Sequence, residues 1–260
     1  MCFDADSHPP IAPLVGAAVD HEDIELAAAD GNRFAAFHAR ASAPSGAAML
    51  ILPDVRGLYR FYEELALRFA EAGVDALAID YFGRTAGVGK RDNDFDKQPH
   101  LDQVSWEGVI ADATAGVERL RKRGRHVRAV FSVGFCMGGR FSFLMGTRDE
   151  LELSGVVGFY GPPLGPIRYG GSPAPAEVAD RIGCSVLGLF GGADSGIPPE
   201  SIEEFRARLT QAGVDHDLVV FPGAPHSFFD KKQAEFSADS EDAWRRVLEF
   251  VTRHTPAVSA

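Results

Sequence analysis

A mostly parallel β-sheet with helices on both faces is the fold this sequence predicts. Three observations predict it. Short apolar, β-branched runs alternate with segments of helical period along the chain, as in consecutive strand–helix units. The run 47–52 is apolar throughout, as a strand buried on both faces must be. A strand-like run at 127–133 passes into a helix-like one at 141–145 through a short glycine-rich turn. Size agrees: 260 residues suit one large α/β domain, and 45% hydrophobic residues can build a sizeable core.

Residues 1–20 read as a loose arm. The runs 24–28 and 34–39 flank Asp30-Gly31-Asn32, a hairpin signal. After the strand at 47–52, Tyr62, Leu65, Phe69 and Ala72 fall at helical spacing, and Gly73 stops that helix. The run 76–79 is the next strand, and 82–103 is polar and irregular. Trp106, Val109, Ala113, Val117 and Leu120 mark a long helix ended near Gly124. Beyond the glycine-rich turn, 155–160 is a strand. Residues 161–175 hold five prolines and four glycines, too many for a regular element, so they predict a rim loop or lid. The run 186–190 is a strand. Ile202, Phe205, Leu209 and Ala212 mark a helix closed by Gly213. The run 218–221 is the last strand, and Ala243, Val247 and Phe250 mark the final helix.

Several function classes are excluded. A net charge of -11 argues against nucleic acid or an anionic membrane as partner. No segment is long and apolar enough to span a bilayer, and the acidic start carries no signal-peptide pattern. Cys2, Cys136 and Cys184 make no disulfide framework, which fits a reducing, cytoplasmic compartment. No cofactor or metal is expected, because the Cys, Asp and His residues singled out below lack metal-ligand spacing.

The turn is Gly134-Phe135-Cys136-Met137-Gly138, the G-x-S-x-G nucleophile elbow with cysteine in place of serine. An elbow lifts one side chain out at a sheet end and needs small residues two before and two after it. The N–H of Met137 would then face developing negative charge at a helix N-terminus. A cysteine nucleophile needs a base, and the base an orienting group. Asp194 follows the strand at 186–190, and His226 follows the strand at 218–221. Taken singly, these are a buried cysteine, a turn-forming aspartate and a loop histidine. Together they stand in the order nucleophile, acid, base of the α/β-hydrolase fold. His216 is the rival base, but it precedes its strand and belongs at the other sheet end. The loop after the third strand, Pro53-Asp54-Val55-Arg56-Gly57, should supply the second oxyanion donor, the N–H of Val55. Asp54 either caps the following helix or acts near Cys136.

With these motifs the sequence resembles the dienelactone hydrolases (carboxymethylenebutenolidases). The resemblance runs from about Ala47 to the last helix. It rests on Gly134-Phe135-Cys136-Met137-Gly138-Gly139, Gly191-Gly192-Ala193-Asp194, His226-Ser227-Phe228 and Asp80-Tyr81-Phe82-Gly83-Arg84. It implies a Cys136-His226-Asp194 triad that opens enol-lactones through a thioester, with a small-molecule lactone or ester as substrate. It also implies that Asp54 stands where the family has a glutamate contacting the resting nucleophile. The family's substrate-binding arginine, four residues after the catalytic histidine, is Asp230 here. Arg56, Arg84 and Arg140 are the candidates for a substitute cation. A thiol-redox or electrophile-sensing role for Cys136, or a non-catalytic binder on this fold, are the competing functions.

Overall fold

Gly31 holds φ at +88°, which lets Asp30-Gly31 close the first hairpin. Strand β1 (Val19–Ala27) therefore pairs antiparallel with β2 (Arg33–Ala41). The structure is a computed structural model, and it describes residues 6–14, 19–123, 126–166 and 169–257. Next come β3 (Ala47–Leu52), α1 (Arg60–Glu71), β4 (Asp75–Ile79), two single-turn helices α2 (Gly83–Ala86) and α3 (Gln98–Leu101), and α4 (Trp106–Arg123). The second half holds β5 (Ala129–Phe135), α5 (Met137–Met145), β6 (Gly155–Phe159), β7 (Ser185–Gly191), α6 (Pro199–Ala212), β8 (His216–Phe221) and α7 (Ser237–Arg253). One eight-stranded sheet results, in the order β1-β2-β4-β3-β5-β6-β7-β8. β2 meets β4 antiparallel, and every pair from β4 to β8 is parallel.

Alternation along each strand divides the core in two. Met49 and Ile51 of β3 join the cluster that takes in α1 and α7, while Ala48, Leu50 and Leu52 join the one that takes in α4 and α5. Helix α1 buries Phe61, Tyr62, Leu65 and Phe69 on one face, each such side chain contributing roughly 2 kcal/mol of hydrophobic burial. It ends where Gly73 turns to φ +86° and Val74 N–H reaches back to the Phe69 carbonyl at 2.9 Å.

The segment 82–103 differs from the expected irregular stretch by the two single turns α2 and α3. Four residues are too few to show a helical period. Gly124, read as the end of α4, lies outside the described residues. The rim segment runs into a 3-10 helix, Pro175–Arg181. The described part of the arm, 6–14, has no helix or strand, yet it is tied down. His8 N–H donates to Asp230 (3.3 Å), Lys231 N–H to the His8 carbonyl (2.9 Å), and Lys232 pairs with Asp6 (2.7 Å). These partners lie over two hundred positions away in sequence, so the residues 6–14 themselves carry no sign of docking.

His38 of β2 is buried, 3.4 Å from the Arg40 guanidinium. Burial, with the positive charges of Arg40 and Arg119, pulls its pKa from 6.5 down to about 4. The unfolded chain therefore takes up a proton below pH 6.5 that the fold refuses until about pH 4. The stabilisation is complete above pH 6.5 and is lost as pH falls through that window. His38→Gln should flatten the fall in stability between pH 7 and pH 4, by roughly 3 kcal/mol. Urea unfolding at the two pH values, wild type against variant, measures it; parallel pH profiles would mean that His38 does not resist protonation.

Candidate active site

Cys136 sits directly beyond β5 and precedes the first residue of α5, with φ 54° and ψ -115°. A non-glycine side chain at such angles is strained and persists only where its surroundings enforce it. The enforcement comes from backbone contact. A Cβ on Gly134 would lie 1.9 Å from the Gly138 carbonyl oxygen, and one on Gly138 would lie 2.2 Å from the carbonyl oxygens of both Leu52 and Pro53. Only glycine fits either place, so the turn closes and Cys136 is forced out. The Cys136 N–H donates to the Phe159 carbonyl at 3.0 Å, fixing the elbow to the end of β6. Met137 is the first residue of α5, where an N–H has no acceptor within the helix.

The loop 53–58 follows β3, the neighbour of β5. The Tyr81 hydroxyl donates to the Pro53 carbonyl (3.0 Å), and Asp54 N–H donates to the Tyr62 hydroxyl (2.9 Å). Arg56 N–H donates to Asp54 Oδ1 (2.8 Å), Gly57 N–H to the Asp54 carbonyl (3.1 Å) and Leu58 N–H to Asp80 Oδ1 (3.0 Å). Among the described residues nothing accepts from the Val55 N–H. Burial, with Asp54, Asp80 and Cys136 close by, holds the Tyr81 phenol well above its ordinary range. The bond to the Pro53 carbonyl holds Tyr81 against the start of the loop that carries Asp54.

Asp54 does not cap α1. The N-cap is Tyr59, and the fully buried Asp54 carboxylate instead closes a turn onto its own loop. Arg56 reaches it with Nε at 3.2 Å and Nη2 at 3.1 Å, and lies 4.6 Å from the centre of the Tyr59 ring. Asp80 has no counterpart in the sequence reading beyond its motif. It accepts from Leu58 and Phe82 N–H, and it pairs with buried Arg91 at 2.8 Å. Tyr62 showed itself in sequence only as a core position, and its hydroxyl at a helix end was the missed signal.

Asp194 and His226 lie beyond β7 and β8, which run side by side. Their loops are joined by Gly192 N–H to the Phe221 carbonyl (2.8 Å) and Ala193 N–H to the Ala224 carbonyl (2.9 Å). Asp194 Oδ1 accepts from Gly196 N–H (2.8 Å), so it does form its turn. Its other oxygen lies 2.6 Å from His226 Nδ1. That contact directs the second ring nitrogen, Nε2, away from Asp194. The imidazole packs against the Tyr160 ring, 4.9 Å between centres, and Tyr160 holds φ at 38° at the end of β6. His216 begins β8 and so lies at the opposite sheet end, as its sequence position implied.

Two of the three arginines are placed elsewhere. Arg84 pairs with Asp30 and, at 2.8 Å, with Asp112, joining the first hairpin to α4. Arg140 is only 1% exposed and bonds to the rim segment. Both are engaged away from the 53–58 loop, and Arg56 is the one within it. Asp230 accepts from His8 and Lys232 N–H, so the place of the family's arginine serves to hold the arm. Cys184 precedes β7 at the far sheet end, its thiol pushed up to about 12 by burial, and is no resolving thiol for Cys136. Cys2 lies outside the described residues. A cavity of about 770 Å³ lies between the arm, α1 and 230–237, away from Cys136 and His226. Among the described residues, no group of three or more His, Cys, Asp or Glu could hold a metal, and no helix is long and apolar enough to cross a membrane.

The strand order, the elbow after β5 and the helices on both faces are those of the α/β-hydrolase fold. Residues 34–255 match the profile of the dienelactone hydrolase family. An Escherichia coli O157:H7 protein provisionally named carboxymethylenebutenolidase is 28% identical, over 95% of this chain and 94% of its own length. One from Saccharolobus solfataricus, under the same provisional name, is 26% identical over 86% of this chain and 95% of its own. Among solved structures, a provisionally named dienelactone hydrolase from Klebsiella pneumoniae superposes with a TM-score of 0.77 at 24% identity, covering 90% of this chain and 98% of that one. A dienelactone hydrolase-like promiscuous phosphotriesterase from metagenomic libraries gives 0.70 at 22% identity, covering 91% and 99%. The chain belongs to the dienelactone hydrolase family and is an ester or lactone hydrolase.

The crowding at the elbow has a direct consequence. Gly138→Ala should lower stability by about 3 kcal/mol or more, because its Cβ has only carbonyl oxygens to displace. Gly31→Ala is the control: it has positive φ but nothing within 4 Å, and should lose only about 1 kcal/mol. Equal urea midpoints for the two variants would show that the elbow backbone yields freely.

Proposed function

We propose that this hydrolase cleaves lactones or small carboxylic esters through a thioester on Cys136, with His226 as base and Asp194 as its orienting group. The observation that carries the reading is the 2.6 Å contact of Asp194 with His226 Nδ1, at the same sheet end as the strained Cys136 turn. With Nδ1 turned to Asp194, Nε2 takes the thiol proton. The thiolate attacks the carbonyl carbon, and negative charge develops on its oxygen between the N–H groups of Met137 and Val55. The carbon–oxygen bond then breaks, and the imidazolium returns its proton to the departing oxygen. A water, deprotonated by His226, attacks the thioester; the acid leaves and the thiol is restored. Asp194 stabilises the imidazolium and does not itself take the proton. Asp54, a fully buried carboxylate in the loop after β3, has a further role in this reading: it disfavours the Cys136 thiolate in the free enzyme.

Cys136→Ala should abolish ester turnover. Asp194→Asn keeps an acceptor for Gly196 N–H but cannot accept from Nδ1–H, so kcat should fall roughly a thousandfold or more with little change in melting temperature. A lowered melting temperature with unchanged kcat would leave Asp194 as a turn former.

Asp54→Asn should speed alkylation of the free enzyme by iodoacetamide at neutral pH and move the reactive thiolate to lower pH. The alkylation rate against pH measures this, and a superimposable profile would remove Asp54 from any part in the chemistry.

A further inference from the structure

Among the described residues, Arg140 is the largest fully buried side chain. It stands in the first turn of α5, its own N–H bonded to the Cys136 carbonyl at 3.1 Å. A guanidinium is a poor choice for that place. It is dehydrated, it lies at the positive end of a helix, and no carboxylate among the described residues lies within ion-pair distance of it. Burial accordingly pulls its pKa down to about 10, with Glu177 opposing from further away.

Its bonding partners show what the residue is for. Nε donates to Ser172 Oγ (3.1 Å) and Nη2 to the Ser172 carbonyl (3.2 Å). Nη1 faces the carbonyls of Pro162 (3.3 Å), Leu164 (3.4 Å) and Gly165 (2.9 Å). All belong to the rim segment. A proline- and glycine-rich stretch cannot satisfy its own carbonyls by regular structure, and one planar fork supplies donors to both ends of it. Other contacts agree. A Cβ on Gly161 would lie 2.5 Å from Arg140 N, and Trp106 N–H donates to the Gly170 carbonyl at 2.7 Å. Tyr160, directly before the segment, packs its ring on His226. The segment therefore leaves the sheet from a residue that touches the imidazole.

We propose that Arg140 is a specificity-determining positioning residue: its guanidinium holds the rim segment as a fixed wall of the substrate site rather than a lid. The proposal rests on the hydrolase reading of Cys136 and His226 for its effect on substrates, and on the tether alone for its effect on the rim. The wall limits the acyl and alcohol groups that fit beside His226. Loosening it admits larger ones and changes KM more than kcat.

The test compares wild type with Arg140→Met, Arg140→Lys and Ser172→Ala. Two quantities are read: deuterium uptake in 161–166 and 169–173, and kcat/KM for p-nitrophenyl hexanoate relative to p-nitrophenyl acetate. Arg140→Met should speed uptake in the rim but not in β5, and raise the hexanoate-to-acetate ratio about tenfold, the lower end of what one methylene is worth in a pocket. Arg140→Lys should not restore wild-type behaviour, since one ammonium cannot span five acceptors. Ser172→Ala, which keeps the buried charge, should move both quantities in the same direction by about two- to threefold, so the proposal stays decidable even where the Arg140 variants fail to fold. Unchanged uptake in the rim, or an unchanged ratio, overturns the proposal. Uptake is read without turnover, so a protein that cleaves neither ester refutes the hydrolase reading while the tether is still decided.

Discussion

The site depends on one close approach of backbone to backbone. Gly134 at the end of β5 meets Gly138 in the first turn of α5, and Gly138 in turn lies on the carbonyls of Leu52 and Pro53. These contacts leave no room for a Cβ, and they force Cys136 to φ 54°. They also set the distance between the elbow and the loop after β3. A single constraint therefore shapes the turn that carries Cys136 and Met137 and seats it on the start of the loop after β3. The strain at Cys136 is small beside what holds it, because β5 is hydrogen-bonded on both sides, to β3 and to β6.

Around that point each loop at the carboxyl end of the sheet is bonded to a neighbour rather than left to itself. Asp54 takes up the N–H groups of Arg56 and Gly57, and Asp80 that of Leu58. The Asp194 and His226 loops are joined by their backbones, and a Cβ on Gly191 would meet the Ala224 carbonyl at 2.4 Å. Such closure costs conformational entropy at folding but leaves little to reorganise when charge develops in a reaction. It also explains why glycine and buried carboxylates gather here, although neither kind of residue favours a core.

What could be read from the sequence follows from how local each signal is. The run 47–52 matched β3 to the residue, because a strand buried on both faces is apolar throughout. The elbow was legible because its two glycines and its cysteine lie within five residues. Asp194 and His226 were legible through their places after strands. Side-chain destinations were not. Asp54 could cap a helix or turn to Arg56, and only the course of the loop to an N-cap at Tyr59 decides. Arg84 and Arg140 read alike as candidate substrate cations, because their partners, Asp112 and Ser172, lie 28 and 32 residues away. Asp230 read as a departure from a pattern, and the arm residue that uses it is His8.

The fate of these charges bears on which substrates the site can admit. Arg84 is held by two carboxylates, Arg140 by a loop, and the position of Asp230 carries a negative charge. Of the three arginines, only Arg56 belongs to the loop that carries Val55, and its guanidinium is already bonded to the buried carboxylate of Asp54. A substrate carboxylate could reach that guanidinium only in competition with Asp54, and displacing a buried carboxylate from its partner leaves it unpaired in a low-dielectric site. A neutral lactone or ester makes no such demand and leaves the pair intact. On the proposed reading of the site, the Asp54–Arg56 ion pair therefore favours neutral over anionic substrates, through a pairing that the resemblance to the family would not by itself have suggested.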